Sequence, residues 1–326
     1  MEAQSFGNSV KLAIVGCGKQ AEKFFQANRF HRQMEILAVC GKSMQEAMEF
    51  AARKGRMYYS DDLNALADWD GVEAVYIACG LKERYETAVR MLEAGKHLLI
   101  EAPMAESHEE VEKLYQLAEE KNVILMEAIP SIYAPAFEKM LPYLRSIGKV
   151  RHATLHHCHY DMAYEQWKRG IVMEAFDPEY SGGAMMEMGV YPVAAMIRLY
   201  GTPDHVMANG VKLSNGIDVS GSILMAYEDM TAQVIYSKIS ESAMPSQLQG
   251  EEGSMLIGEI DNIKDLKICR RKVDQSIHFE QSDNIMHHET DHFLRMIRTG
   301  MGMEECKKIS LATMKVLEEA RKQLDY

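Results

Sequence analysis

The sequence predicts an α/β fold in two parts: a doubly wound parallel sheet first, then an α+β domain with a large open, mainly antiparallel sheet. Three observations carry this. Residues 11–128 alternate near-continuous apolar runs with helical patterns, as strands covered on both faces require. The first apolar run breaks at two closely spaced glycines just before a helical pattern begins. Beyond about residue 129, strand-like runs follow one another with few helices between them. The division is therefore placed at residues 1–129 and 130–326, and 326 residues are more natural as two domains than one.

The first strand-like run is 11–15. It leads into Gly16-Cys17-Gly18-Lys19-Gln20-Ala21, a G-x-G-x-x-A pattern, and then a helix over 21–33. Gly16 lets the strand turn sharply. Gly18 has no Cβ, so the backbone can approach a pyrophosphate, and Ala21 lets the helix pack closely on the strand. Free N–H groups and the helix dipole favour phosphate at that helix start. All six residues are candidates for dinucleotide binding.

The second run, 35–40, precedes a helix over 43–53. Lys42 and Ser43 stand where a chain preferring NAD usually places an acid on the ribose. A cation and a hydroxyl suit a 2′-phosphate, which favours NADP over NAD. A weak run at 57–59 follows, then 74–79. Ligands bind outside the carboxyl ends of parallel strands, so Cys79 and Gly80 are expected near the cofactor. A helix over 82–93, a strand over 97–101, a helix over 108–120 opened by the capping box Ser107/Glu110, and a strand over 123–128 complete this part.

In the second part, strands are expected at 150–161, 205–213, 219–227, 231–237 and 264–271. A helix over 183–200 interrupts them, and helices near 284–299 and 310–323 follow. Alternation along the first strand puts His157, His159 and Asp161 on one face. These are metal-ligand types, but neighbours on one strand need a third element to close a site. A sheet face or subunit interface is expected there, with no metal. One free sheet face predicts a homodimer or homotetramer.

Composition narrows the partners. Hydrophobic residues at 47% and charged residues at 26% are those of a globular protein. A formal net charge of -12 argues against nucleic acid or an anionic membrane, which leaves a small-molecule substrate. No apolar stretch of about 18 residues occurs. The first residues lack a signal-peptide pattern, and the six cysteines are scattered without a C-x-x-C, so a reduced, cytoplasmic setting is expected.

The run Gly95-Lys96-His97-Leu98-Leu99-Ile100-Glu101-Ala102-Pro103, taken with the glycine pattern, resembles the glucose–fructose oxidoreductase/inositol dehydrogenase (Gfo/Idh/MocA) family, which reads G-K-H-V-x-x-E-K-P here. Residues 182–191, Gly-Gly-Ala-Met-Met-Glu-Met-Gly-Val-Tyr, resemble its G-G-A-L-x-D-x-G-x-Y. The resemblance covers nearly the whole chain. It implies a Rossmann cofactor domain with Glu101 and Ala102 at the cofactor. It further implies NAD(P)-dependent hydride transfer with a sugar, polyol or dihydrodiol-like alcohol or carbonyl.

Four family features are changed. Ala102 replaces the lysine that contacts cofactor and substrate and supports proton transfer. Glu187 replaces an aspartate. Gly80-Leu81-Lys82-Glu83-Arg84 stands for P-N-x-x-H, and Ser131-Ile132-Tyr133-Ala134-Pro135 for W-R-F-x-P. Losing one acid/base group typically costs ~10²–10⁴ in rate. The candidate substitute is Tyr191 as proton donor, with Glu187 polarising it or binding a substrate hydroxyl. Two alternatives stay open: a cofactor-binding sensor or regulator without the reaction, and a hydrolase or lyase with tightly bound NAD, against which Lys42 counts.

Overall fold

The computed structural model describes residues 9–55, 57–271 and 273–324. It divides into two compact units. Unit 1 comprises the chain to Ala105, Glu109–Ala128 and Met286–Lys307; unit 2 comprises Glu106–His108, Ile129–Ile285 and the chain from Lys308 onward.

Unit 1 opens with β1 (Val10–Val15), α1 (Lys19–Asn28), β2 (Met34–Cys40), α2 (Met44–Lys54), β3 (Tyr58–Ser60) and α3 (Leu63–Ala67). It continues through β4 (Ala74–Ile77), α4 (Leu81–Glu93), β5 (His97–Glu101), α5 (His108–Glu120) and β6 (Leu125–Ala128). The strands form one parallel sheet in the order β3-β2-β1-β4-β5-β6. Leu12, Ile14, Val75, Ile77, Leu98 and Ile100 are fully buried, so helices cover both faces. The order reverses between β1 and β4, and that switch point opens the ligand crevice of a doubly wound sheet.

Unit 2 begins with α6 (Pro130–Tyr133) and α7 (Pro135–Leu144), each with proline in its first turn, where the missing N–H costs nothing. β7 (Val150–Cys158), α8 (Ala163–Trp167), a π-helical turn over Met185–Gly189 and α9 (Val190–Tyr200) come next. Then follow β8 (His205–Lys212), β9 (Asp218–Ala226), β10 (Thr231–Ser237), β11 (Ser246–Gly250), β12 (Gly253–Ile257), β13 (Asp265–Arg270) and β14 (Val273–His278). They make one sheet in the order β14-β13-β12-β11-β7-β10-β9-β8. Every adjacent pair is antiparallel except β7 with β10, which run parallel across the middle.

The sequence reading misses β11, β12 and β14. Two of them, Ser-Gln-Leu-Gln-Gly and Val-Asp-Gln-Ser-Ile-His, carry too little apolar alternation to register. The strand expected over 150–161 ends at Cys158. The helix expected over 183–200 is broken by the π turn, and a sequence period of 3.6 cannot show such a turn.

Two long helices follow, α10 (Met286–Thr299) and α11 (Met303–Lys322). α10 packs on α1: His31 meets Asp291 at 2.9 Å, and Arg298 donates to Gln33 at 2.7 Å. The chain thus returns to unit 1 after building the second sheet, which a single cut at residue 129 leaves out. A sequence pattern shows that a helix exists, not which sheet it covers.

Candidate functional site

In unit 1 the glycine pattern forms the turn from β1 into α1. Gly16 has φ +108°, and a Cβ there would lie 2.6 Å from the Ala78 carbonyl oxygen and 2.9 Å from the Cys79 nitrogen. Only glycine fits, so β1 and β4 approach closely at the switch point. Gly18 is the opposite case: a Cβ there would meet nothing within 4 Å. It is the N-cap of α1 and offers no side-chain cap to the first N–H groups of the helix. Ala21 is fully buried beneath them, Lys19 is exposed, and Gln20 is half-buried. Burial, with Glu46 and Cys40 adding to it, pushes the Cys17 thiol up to about 12, so this residue is not a thiolate.

At the end of β2, Ser43 caps α2 by accepting from Glu46 N at 3.3 Å, and Glu46 accepts in turn from Lys42 N at 2.9 Å. The Ser43 hydroxyl is therefore engaged in the helix start. Lys42 is exposed and stands 3.7 Å from Glu83. A pair this exposed is worth about 0.2–1 kcal/mol. Asp61, from the end of β3, accepts from Met44 N at 3.0 Å. An acid thus does reach this helix start, from one strand further on than expected.

The loops after β4 and β5 are tied together by Arg84. Its guanidinium donates to the carbonyls of Cys79, Glu101 and Pro103 at 3.0, 3.0 and 2.7 Å. Glu127 accepts from Met104 N at 2.9 Å. The loop carrying Ala102, whose bond to Pro103 is cis, is therefore braced on both sides although its lysine is gone. Ala102 is buried, and Gly80 caps α4 without a side-chain bond. Burial pushes the Cys79 thiol up.

Glu101 is buried and turned inward: Tyr76 donates to one oxygen and Gln20 to the other at 3.0 Å. It thereby locks the first turn of α1 to β5. Burial raises its pKa, against the lowering effect of Arg84 and the two hydrogen bonds. Lys96 is a brace as well, donating to the Trp69 and Val72 carbonyls at 2.9 Å. Glu289 of α10 is fully buried, and burial together with the Glu101 charge pushes its carboxyl well above the usual range.

In unit 2, Glu187 sits in the π turn and Tyr191 at the start of α9. Gly183, at φ +84°, allows the turn: a Cβ there would collide with Asp218. Asp218 Oδ2 accepts from Met185 N at 2.7 Å and so caps the turn. Burial, and secondarily Glu187, raise Asp218 to about 6.

Glu187 accepts from the Ser181 hydroxyl on one oxygen and from Lys238 Nζ, at 2.6 Å, on the other. Lys238 is 3% exposed and also donates to the Ala175 carbonyl at 2.6 Å. The sequence reading overlooked it, yet the signal is present: Ala232, Val234, Tyr236 and Lys238 share one phase, so the lysine follows three buried apolar residues onto the core face. The Tyr191 ring meets the His157 ring edge-on, with centroids 5.3 Å apart.

His157 is buried and its Nδ1 lies 3.1 Å from the Met188 carbonyl. His159 stands beside it, with ring centroids 4.9 Å apart. The structure separates Asp161 from this pair, since its carboxylate accepts from Ala163 N at 2.9 Å and forms a turn. The carboxylate that joins them is Asp261, between β12 and β13, 3.5 Å from His157 Nε2 and 4.0 Å from His159 Nε2.

Comparison with known proteins matches both parts of the chain. Residues 10–129 match the oxidoreductase family with an NAD-binding Rossmann fold, and residues 145–256 match the GFO/IDH/MocA C-terminal domain. The scyllo-inositol 2-dehydrogenase (NADP(+)) IolU of Bacillus subtilis is 33% identical over 318 residues, covering 97% of each chain. The trans-1,2-dihydrobenzene-1,2-diol dehydrogenase of Xenopus tropicalis is 24% identical, covering 97% of this chain and 98% of that one. A 3-ketoreductase from Actinomadura kijaniata, solved with NADP and TDP-benzene, shares the fold with a TM-score of 0.88 at 20% identity, covering 97% and 98% of the two chains. With both domain matches in the expected order and a third of its residues shared with IolU along its length, this chain belongs to the GFO/IDH/MocA oxidoreductase family.

Proposed function

We propose that the protein is an NADP-dependent oxidoreductase transferring a hydride between nicotinamide and a sugar, polyol or dihydrodiol-like alcohol or its carbonyl. The observation that carries this reading is the start of α1 at Gly18, which has no side-chain cap and no atom within 4 Å of where a Cβ would stand, as a helix start that takes a pyrophosphate requires. Gly16, Cys17, Gly18, Lys19, Gln20 and Ala21 form the phosphate turn. Lys42 takes the 2′-phosphate, while Ser43 and Glu46 fix the helix start beside it. Cys79, Gly80, Glu101 and Ala102 shape the loops around the switch point. The substrate class follows the relatives, which are named for an inositol and for dihydrodiols.

The bound cofactor supplies hydride transfer. The chain supplies the proton. In reduction the carbonyl carbon gains a hydride from the nicotinamide and its oxygen gains the Tyr191 phenol proton, leaving the phenolate; oxidation is the reverse and needs Tyr191 as phenolate to take the hydroxyl proton. A neutral phenol gives a proton to a forming alkoxide more easily than it removes one from an alcohol. Glu187, held by Lys238 and Ser181, keeps spare lone pairs on both oxygens for a substrate hydroxyl.

Ala102 favours a second reading, an NADP-binding sensor without turnover. Titrating the protein into NADPH and following nicotinamide fluorescence separates the two. Binding followed by oxidation with at least one ketoinositol, ketosugar or related carbonyl supports the enzyme. Binding without oxidation across the panel supports the sensor, and no binding contradicts both.

Two further expectations belong to the same proposal. Met207 and Leu224 are exposed and directly paired across β8 and β9, with Val211 also exposed along β8. This apolar row supports a homodimer or homotetramer through the sheet. The six cysteines are free, and no described helix is long and apolar enough to cross a membrane, which supports a reduced, cytoplasmic setting.

A further inference from the structure

We propose that His157, His159 and Asp261 form a binding site for a divalent transition metal of the zinc class. Their ligand atoms all lie within 4.8 Å of one another. A tetrahedral site with bonds of about 2.0–2.1 Å spaces its ligands about 3.3–3.4 Å apart. The two distances to Asp261 Oδ2, 3.5 and 4.0 Å, need to close by about 0.1–0.7 Å, and the spacing of the two histidine nitrogens, at most 4.8 Å, by up to about 1.5 Å.

The hydrogen bonding of His157 is the strongest reason. The Met188 carbonyl can only accept, so His157 Nδ1 carries the hydrogen of that 3.1 Å bond. That bond turns Nε2, the nitrogen a metal would use, toward the Asp261 carboxylate. A proton or a metal cation between them would bridge the 3.5 Å from Nε2 to the carboxylate. A ring nitrogen donated to a backbone carbonyl while the other faces outward is also how metal-bound histidines are oriented.

The frame is firm. His157 is in β7 and His159 follows two residues on, so both rings leave the same face. Ile260 and Ile263 are buried on either side of Asp261 and hold its loop in place. His159 is half exposed, so water or a substrate oxygen can reach a fourth position. Three protein ligands with one open position is the pattern of catalytic rather than structural zinc. The site borders Tyr191 through the His157 ring, yet it stands independently of the hydride reaction.

The test uses the full chain, stripped with chelator and dialysed against Zn²⁺ alone, with bound metal measured by elemental analysis. Co²⁺ serves as a spectroscopic probe. One equivalent of Zn²⁺, a four-coordinate cobalt spectrum, and at least about tenfold weaker binding in both H159A and D261N support the site; even outer-shell changes cost that much. H288A, at the separate His287–His288 pair, retains the metal. Unchanged melting of the two variants in chelator shows that they are folded. No stoichiometric zinc in the wild type, or zinc that either variant retains at full affinity, overturns the proposal.

Discussion

Replacing Lys238 by methionine removes a charge from the interior of unit 2 while keeping most of its volume. The ammonium makes two 2.6 Å hydrogen bonds, to Glu187 and to the Ala175 carbonyl, and lies 5.0 Å from the centroid of the Phe176 ring. Truncation leaves the carbonyl without its donor and the carboxylate without its counter-charge. Breaking a fully buried pair costs about 3–5 kcal/mol. The Glu187 side chain is 37% exposed, so water recovers part of its share, and the expected cost falls to about 3 kcal/mol. For a unit of this size that lowers Tm by about 6–12 °C. Thermal unfolding followed by circular dichroism measures it. The double variant K238M/E187Q should lose clearly less than the sum of the single variants, because the two side chains act on each other. NADPH affinity should hold, since unit 1 is untouched, while kcat/KM falls as Glu187 loses its anchor. A Tm drop under about 2 °C, or strictly additive effects, would refute the reasoning.

Three other perturbations follow from the same structure. Lys42→Glu should weaken NADPH by roughly tenfold to a hundredfold, the value of one hydrogen bond to a charged group, and NADH much less; equal losses by fluorescence titration would remove the 2′-phosphate contact. Asp218→Asn should change the pH dependence of stability. The carboxyl rises from 3.8 to about 6 on folding, so the folded state keeps a proton that the unfolded chain releases. Wild-type stability from this group is therefore full below about pH 4 and is lost as pH rises to 6, by about 3 kcal/mol. Urea unfolding from pH 4 to 7 should show the variant gaining on the wild type by that amount, and parallel curves would contradict the assignment. Ala102→Lys restores a proton-transfer group to a loop still braced by Arg84 and Glu127, and should raise turnover at least about tenfold. Unchanged turnover with intact NADPH binding would mean that the loop no longer faces the chemistry.

Local features of the chain were readable in the sequence because local physics sets them. Gly16 and Gly18 announce a turn and an open helix start, and the structure assigns one a close approach and the other empty space. The order of the first sheet follows from successive right-handed strand–helix–strand crossovers. What escaped were the long-range partners. His157 was seen with His159, but Asp261 lies far along the chain and no spacing rule reaches it, so Asp161 stood in its place. Lys238 carried a signal that went unused, a charge in phase with buried residues. The parallel pairing of β7 with β10 and the return of α10 to α1 depend on packing between distant segments, and neither leaves a period in the sequence.

The central claim is that proton transfer passes through Tyr191 in a chain whose family lysine is alanine. The direct measurement is single-turnover oxidation of bound NADPH by a carbonyl substrate in wild type and Tyr191→Phe, with NADPH affinity measured in parallel. Loss of a general acid should lower the rate by at least tenfold, toward ~10²–10⁴, with NADPH affinity nearly unchanged. A Tyr191→Phe rate equal to the wild type would contradict the account.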